Sequence, residues 1–451
     1  MKKLIYLIAG CLSCLAANAK TPPNFLLILT DDQGWSQLSA KMHPGVEDSY
    51  SSYLHTPNMN RVGDNGMRFT SGYSPAPLCT PKRRSILCGT SAARSGTEFA
   101  SPKWIPAEHM TMPKALKLAN PDYQCAHFGK WGEQMNNTPE ECGYDVSDGL
   151  TGNKTGGMED KMKPHHINED PKRTGSVTKR AVDFMSKQVK ARKPFYAQVS
   201  YYAVHLRVEL EEASLKKYQE KGEPDRAHTH GWAGMLEEMD AGVGRLLDTL
   251  AELDVAKNTY VVFTTDNGGR GIVPGGNGKS APPNAPLSGA KHSLLEGGIR
   301  VPFMVSGPGI QPGSVCHTPV CGYDFLPTFY SLAEGKAGLG EEIDGGDFSG
   351  LFANPESGCV KRPMDALIFH RPRQGASAIR QGDYKLYLKG KGDGRTRLLT
   401  NAREDHAEKD NLAEKHPEIA DKLEELLTGF TSQFKHMEPP AKKPKRNKKK
   451  K

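Results

Sequence analysis

Four short stretches of the chain are apolar with little interruption: "NFLLIL" from Asn24, "YQCAHF" from Tyr123, "FYAQVSYY" from Phe195 and "TYVVFT" from Thr259. Each is too short for a helix and fits a strand buried on both faces. Polar residues follow each one. Asp31 and Asp32 come after the first, Lys130 after the second, His205 after the third, and Asp266, Asn267 and Gly268 after the fourth. Between the last two, "WAGMLEEMDAGVGRLLDTLAEL" repeats Met235, Met239, Val243, Leu246 and Leu250 at helical spacing. This predicts an amphipathic helix whose methionines belong to the core. The alternation of short apolar runs and helical patterns predicts an α/β fold, a mostly parallel sheet with helices on its faces. In such sheets ligands bind beyond the carboxyl ends of the strands, so four strands are expected to deliver polar residues to one edge.

After about residue 360 the pattern changes to "ALIFH", "ASAIRQGDYKLYL" and "TRLLT", followed by the helical run "PEIADKLEELLTGF". The expected organisation is a main α/β domain over 20–360 and a small C-terminal sheet-plus-helix subdomain over 361–436. The start, "MKKLIYLIAGCLSCLAANAK", has the basic, apolar and small-x-small order of an export signal, predicting cleavage after Ala19. A competing cut at Ile8-Ala9-Gly10-Cys11 resembles a lipoprotein box and would leave a lipid anchor on Cys11. The expected location is therefore periplasmic or secreted, with an outer-membrane lipoprotein as the alternative, and no transmembrane segment is expected in the mature chain.

The formal charge of +8 raises the question of a polyanionic partner. Its location answers most of it, because the tail after residue 436 includes "AKKPKRNKKKK", and the remainder is near neutral. A like-charged block at 437–451 reads as a disordered, solvated end that gives no case for nucleic acid, with weak adhesion to a sulfated glycan as the functional alternative. Nine cysteines are present. Beyond Cys79, those at 88, 125, 142, 316, 321 and 359 either pair in an oxidising compartment or stay as buried thiols.

The candidate chemistry lies at the strand ends and in "APLCTPKRRSILCGT". Asp31, Asp32, Asp266 and Asn267 offer only oxygen donors, which suits Ca²⁺ or Mg²⁺ better than zinc. Either pair alone reads as turn chemistry, and their common place after buried strands favours a cation. Thr80 is expected as an N-cap, Pro81 as the first helical residue and Gly89 as the stop, which sets Cys79 at a helix N-terminus, a place that favours an anion. Arg83 follows one turn later.

"CTPKR" matches the C-x-P-x-R core of the type I sulfatases, and "NFLLILTDDQG", "HFGKWG", "TTDNGG" and "NAPLSGAKHSLLEGGIRVP" resemble segments of that family in the expected order. The chain is identified as resembling a formylglycine-dependent, arylsulfatase-like enzyme over roughly 24–426. The resemblance implies an alkaline-phosphatase-like fold and hydrolysis of sulfate esters, with sulfated carbohydrates expected as substrates. It implies one Ca²⁺ per chain held by Asp31, Asp32, Asp266, Asn267 and an oxygen of modified Cys79. A maturation enzyme would convert Cys79 to formylglycine, whose hydrate attacks sulfur with one hydroxyl and expels sulfate with the other. Arg83 would support these groups, Lys130 and Lys291 bind sulfate oxygens, and His205 either protonate the leaving alkoxide or bind sulfate.

Two departures stand out. Many sulfatases carry histidine where this chain has Gly132, so proton removal needs another group, and His292 or His127 are the candidates. Arg207 replaces a proline common in the family, either as a surface cation or as a contact to a charged sugar group. Two other functions fit parts of the pattern: a phosphate or phosphonate monoester hydrolase on the same fold, and a sulfated-glycan-binding protein with impaired catalysis. The intact oxygen-donor set and C-x-P-x-R argue against the second, because a binder has little use for a nucleophile.

Overall fold

The computed structural model describes residues 21–95, 104–157, 163–272, 274–276, 282–356, 358–390 and 394–434. The expected export signal, the Cys11 alternative and the basic tail lie outside the described residues. Among the described residues no helix is long and apolar enough to cross a membrane.

An eight-stranded sheet forms the centre. Its strands in chain order are β1 (Asn24–Thr30), β2 (Gly66–Phe69), β3 (Gln124–Gly129), β4 (Val146–Ser147), β5 (Phe195–Ser200), β6 (Thr259–Thr265), β7 (Phe303–Ser306) and β8 (Ser314–Cys316). Their spatial order is β8-β2-β7-β6-β1-β5-β3-β4. All neighbours are parallel except β7, which runs antiparallel to β6 and β2.

The unbroken apolar runs are explained by burial on both sides. Leu26, Ile28, Ala126, Phe128, Ala197, Val199, Val261 and Phe263 face a core built with helices Thr174–Lys190 and His230–Glu252. Phe25, Leu27, Leu29, Cys125, Tyr196 and Val262 face the opposite core, which includes helices Cys79–Cys88, Met112–Ala119 and Phe325–Leu332. Alternation along each strand sorts neighbours onto the two faces, so a single apolar run serves both layers. Met235, Met239, Val243, Leu246 and Leu250 are all buried on the first face, as their spacing predicts.

The C-terminal segment forms an antiparallel sheet of β9 (Leu367–Arg371), β10 (Ala376–Gln381), β11 (Tyr384–Lys389) and β12 (Thr396–Asn401) in sequential order, packed by helix Pro417–Ser432. A buried ionic network couples it to the main sheet's layers. Lys385 Nζ lies 2.9 Å from both Glu296 Oε1 and Glu408 Oε1, and Arg300 Nε lies 2.5 Å from Glu296 Oε2. Tyr73 donates its hydroxyl to Glu296 at 2.7 Å, and Arg300 donates to the Ala402 carbonyl at 2.6 Å. All seven described cysteines are free thiols, and of these only Cys359 is exposed.

Lys385 is fully buried between two carboxylates. Lys385→Ala leaves Glu296 and Glu408 facing each other without their shared cation, a loss expected to cost about 3–5 kcal/mol. The measurement is the denaturant midpoint of the full-length protein; a midpoint equal to wild type contradicts the network's role.

Candidate active site

The site forms where parallel strands end together. Thr30 of β1 stands opposite Thr265 of β6, and Gly129 of β3 opposite Ser200 of β5. Backbone bonds continue past the strand ends, from Asp266 N to Thr30 O at 3.0 Å, Lys130 N to Ser200 O at 2.7 Å and Val204 N to Asp31 O at 2.7 Å. These bonds bring Asp31, Asp32, Asp266, Asn267 and Lys130 to one edge and draw the loop carrying His205 beside them. Asp32 adopts a left-handed φ of 64°, a conformation that Asp tolerates better than most residues.

Cys79 opens the helix Cys79–Cys88, which begins with Leu78 as N-cap and ends at left-handed Gly89. The expected N-cap, Thr80, instead lies inside the first turn and donates its hydroxyl to Glu133 O at 2.8 Å. Its hydroxyl thus ties the helix to the loop after Lys130, a tertiary partner that local spacing does not reveal. The Cys79 Sγ stands 3.6 Å from Asp31 Oδ1, 3.8 Å from Asn267 Oδ1 and 3.5 Å from Lys291 Nζ. Burial, followed by the carboxylates of Asp266 and Asp31, pushes its thiol up to about 12. A thiol activated by neighbouring cations is therefore not what this environment produces.

The buried carboxylates are matched by buried cations. Lys130 donates to Asp31 Oδ2, and Lys291 Nζ lies 2.5 Å from Asp32 Oδ1. Arg83 donates to the Lys130 carbonyl at 2.5 Å and lies 3.4 Å from Asp266 Oδ2. Burial raises the pKa of both carboxyls, yet Asp31 beside Lys130 and Asp32 beside Lys291 end well below the usual carboxylate range. Burial opposes charge on Lys130 and Lys291 too, but Asp31 and Asp32 respectively lift them above the ordinary lysine value. His205 is held neutral, lowered to about 3 chiefly by burial, with Nε2 3.7 Å from Asp32 Oδ2.

The donor atoms of Asp31, Asp32, Cys79 and His205 lie within 4.8 Å of one another. Asp32 Oδ2 is buried without a hydrogen bond. Asp266 Oδ1 instead accepts the Asp32 N–H at 2.9 Å, and Asn267 donates to Asp32 Oδ1 at 2.8 Å. An orphaned carboxylate oxygen beside the Asp31 carboxylate fits a hard divalent cation, while the expected ligand Asp266 lies outside this group of four.

Sequence reasoning missed three cations here. Lys82 is fully buried, its Nζ has no hydrogen bond and lies 3.9 Å from Asp266 Oδ2, and burial lowers it to about 7. Arg270 Nη1 lies 3.7 Å from Asp32 Oδ2. Lys172 donates to the carbonyls of Gly156, Gly157 and Leu206, clipping the loop after β4 to the loop after His205. Exposed lysines and arginines share the same sequence signal, so only burial singles these out.

The two histidine candidates for the Gly132 role sit differently. His127 is buried in β3 with Nε2 3.2 Å from Ser200 Oγ, packed edge-on to Trp131 and Tyr144. His292 is exposed at the rim, with its carbonyl accepting from Arg371. Gly132 itself has φ 140°, and a Cβ there would stand 3.1 Å from Met135 Cγ, so the local backbone disfavours any side chain. Arg207 Nε lies 3.2 Å from Glu209 Oε1, which gives it a protein partner.

Residues 23–336 match the family model described as Sulfatase. The chain belongs to the sulfatase family. It is 30% identical over 419 residues to N-acetylgalactosamine-6-sulfatase of Mus musculus, covering 85% of this chain and 75% of that protein. Human arylsulfatase A is 28% identical over 408 residues, covering 81% and 75%. The solved structure of Ps i-CgsB in complex with k-i-k-neocarrahexaose superposes with a TM-score of 0.74 at 24% identity, covering 91% of this chain and 93% of that one. The fold of this sulfatase is alkaline-phosphatase-like, and its activity is the hydrolysis of sulfuric esters.

The thiols provide a direct check on the burial described here. In the native protein a maleimide is expected to label Cys359 far faster than Cys88, Cys125, Cys142, Cys316 and Cys321, all of which react only after denaturation. Peptide mass mapping reads the outcome; rapid native labelling of the buried five contradicts the packing.

Proposed function

We propose that this sulfatase, with Cys79 matured to formylglycine and one Ca²⁺ bound, removes sulfate from sulfated carbohydrates after export from the cytoplasm. The observation that carries this reading is the position of Cys79. It stands at the start of a helix where Asp31, Asn267 and Lys291 converge, in the C-x-P-x-R segment of a sulfatase. Formylglycine, hydrated, would supply one hydroxyl to bond sulfur and a second that, on losing its proton, re-forms the aldehyde and breaks the carbon–oxygen bond to the sulfate, whereas a thiol has only one such atom. A maturation enzyme acting on the C-x-P-x-R segment would make it. Among the relatives, the proteins named N-acetylgalactosamine-6-sulfatase and ulvan-active sulfatase support a sulfated carbohydrate as the substrate class.

Asp31, Asp32, Asp266 and Asn267 would hold the cation, which supplies positive charge against the reacting oxygens. Lys130 and Lys291 stay charged and stabilise the sulfate oxygens as negative charge grows on them. Arg83 holds the Lys130 backbone and the Asp266 carboxylate in place. His205 enters neutral and offers an N–H hydrogen bond to the leaving oxygen rather than a full positive charge. With no side chain at 132, the second proton transfer falls to a group at the rim, where His292 stands.

Four measurements test this. Mass spectrometry of the Cys79 peptide from protein made with a maturation enzyme should show an aldehyde in place of the thiol, and parallel assays should show turnover of aryl sulfates above aryl phosphates and phosphonates. An active preparation whose Cys79 is wholly unmodified, or one that prefers the phosphorus esters, overturns the reading. Removal of Ca²⁺ by a chelator should abolish turnover, and Asp31→Ala should weaken Ca²⁺ binding measured by calorimetry. Full activity in metal-stripped protein excludes the cation from the mechanism.

A further inference from the structure

Arg270 follows β6 by five residues and reaches the rim of the site, with its side chain 23% exposed. Its Nη1 lies 3.7 Å from Asp32 Oδ2, beyond hydrogen-bond reach, and its buried Nε has no hydrogen-bond partner. Asp32 is already served on its other oxygen by Lys291 at 2.5 Å and Asn267 at 2.8 Å. A guanidinium built to neutralise Asp32 would close to contact, as Lys130 does on Asp31. Arg270 stops short.

The local charge is also unbalanced. Leaving aside Lys82, which burial lowers to about 7, Asp31, Asp32 and Asp266 face Arg83, Lys130, Lys291 and Arg270. Cations already outnumber carboxylates, and a divalent ion widens the excess. A sulfate monoester brings a single negative charge, which leaves positive charge over. Among these cations Arg270 is the most exposed, the others being buried beside the carboxylates. The Lys291 N–H donates to Gly269 O at 3.0 Å, so the Lys291 loop and Arg270 share one wall. Arg371, itself 5% exposed, reaches this wall from the C-terminal sheet and donates to the His292 carbonyl.

We propose that Arg270 selects substrates carrying a second anionic group, a carboxylate or a further sulfate, next to the ester that is cleaved. The inference rests on the sulfatase reading above and adds the substrate's charge pattern to it. The planar fork of an arginine matches either anion with two parallel hydrogen bonds, and the partly exposed side chain of Arg270 can present that fork at the rim.

The test measures binding without turnover. Full-length Cys79→Ala protein with Ca²⁺ present is titrated with three probes: a monosulfated neutral disaccharide, the same disaccharide with a second sulfate, and the same with a uronate in place of the neutral sugar. The Arg270 protein is expected to bind at least one doubly anionic probe more tightly than the monosulfated one. Adding Arg270→Gln should reduce that preference roughly tenfold, the effect of losing a charge-assisted hydrogen bond, and Arg270→Lys should restore part of it. Loss of preference for the disulfated probe alone identifies sulfate as the second anion, and for the uronate probe alone a carboxylate. Absence of any preference in the Arg270 protein overturns the proposal. So does an equal weakening of all three probes in Arg270→Gln together with weaker Ca²⁺ binding, since that pattern makes Arg270 a support for Asp32. Turnover of the monosulfated ester by the mature wild-type enzyme is scored separately, so an active sulfatase with an unchanged preference retains its function and loses this selectivity.

Discussion

Three carboxylates at one sheet edge, stripped of water and close to one another, are the constraint around which this site is built. Burial raises the pKa of Asp31 and Asp32, yet both end below the usual carboxylate range because Lys130 and Lys291 are buried beside them. Lys130, Lys291 and Arg83 answer that need, and their own burial is tolerable only because the carboxylates are there. Neither set would be stable without the other. The arrangement also leaves Asp32 Oδ2 without a hydrogen bond, a gap that protein donors do not fill.

Such a cluster needs rigid support, since a small displacement of one charge costs more in a low-dielectric interior than at the surface. Parallel strands supply most of it, because their backbone bonds continue past Thr30, Gly129 and Thr265 into the loops that carry the charges. Two buried lysines far apart in sequence supply the rest. Lys172 clips the loops on either side of His205, and Lys385 joins Glu296 to Glu408 behind the segment that bears Lys291. Arg371 adds a direct bond from the C-terminal sheet to the residue after Lys291. The small sheet therefore helps to shape the site, although the main sheet provides the donors.

Much of this is legible in the chain. "NFLLIL" and "TYVVFT" read as doubly buried strands because each run is too short for a helix and lacks the polar alternation of a strand with one face in water. Both lie in the centre of the sheet. Asp31, Asp32, Asp266 and Asn267 can be named because they follow those strands directly. The helix from Cys79 is also readable, including its stop at Gly89, but its cap is not. Thr80 has the right chemistry for a cap, and its hydroxyl finds a better partner in Glu133 O across the site. Lys82, Lys172 and Arg270 escape notice in the sequence, since a cation there carries no mark of whether it will be buried.

What the sequence determined by itself was the order of elements, the edge at which polar residues gather and the family to which the chain belongs. The first two follow from local periodicity and from residues adjacent to strands, both short-range properties, and the family from the resemblance of motifs such as C-x-P-x-R. Tertiary structure alone decided which charges meet. It set the Cys79 thiol among carboxylates that suppress its ionisation, gave Gly132 a backbone conformation that disfavours a side chain, and left Arg270 poised short of Asp32. Each of these depends on residues far apart along the chain or on the space left by their packing. Electrostatic energy is a function of distance in space, which the linear order of residues does not contain.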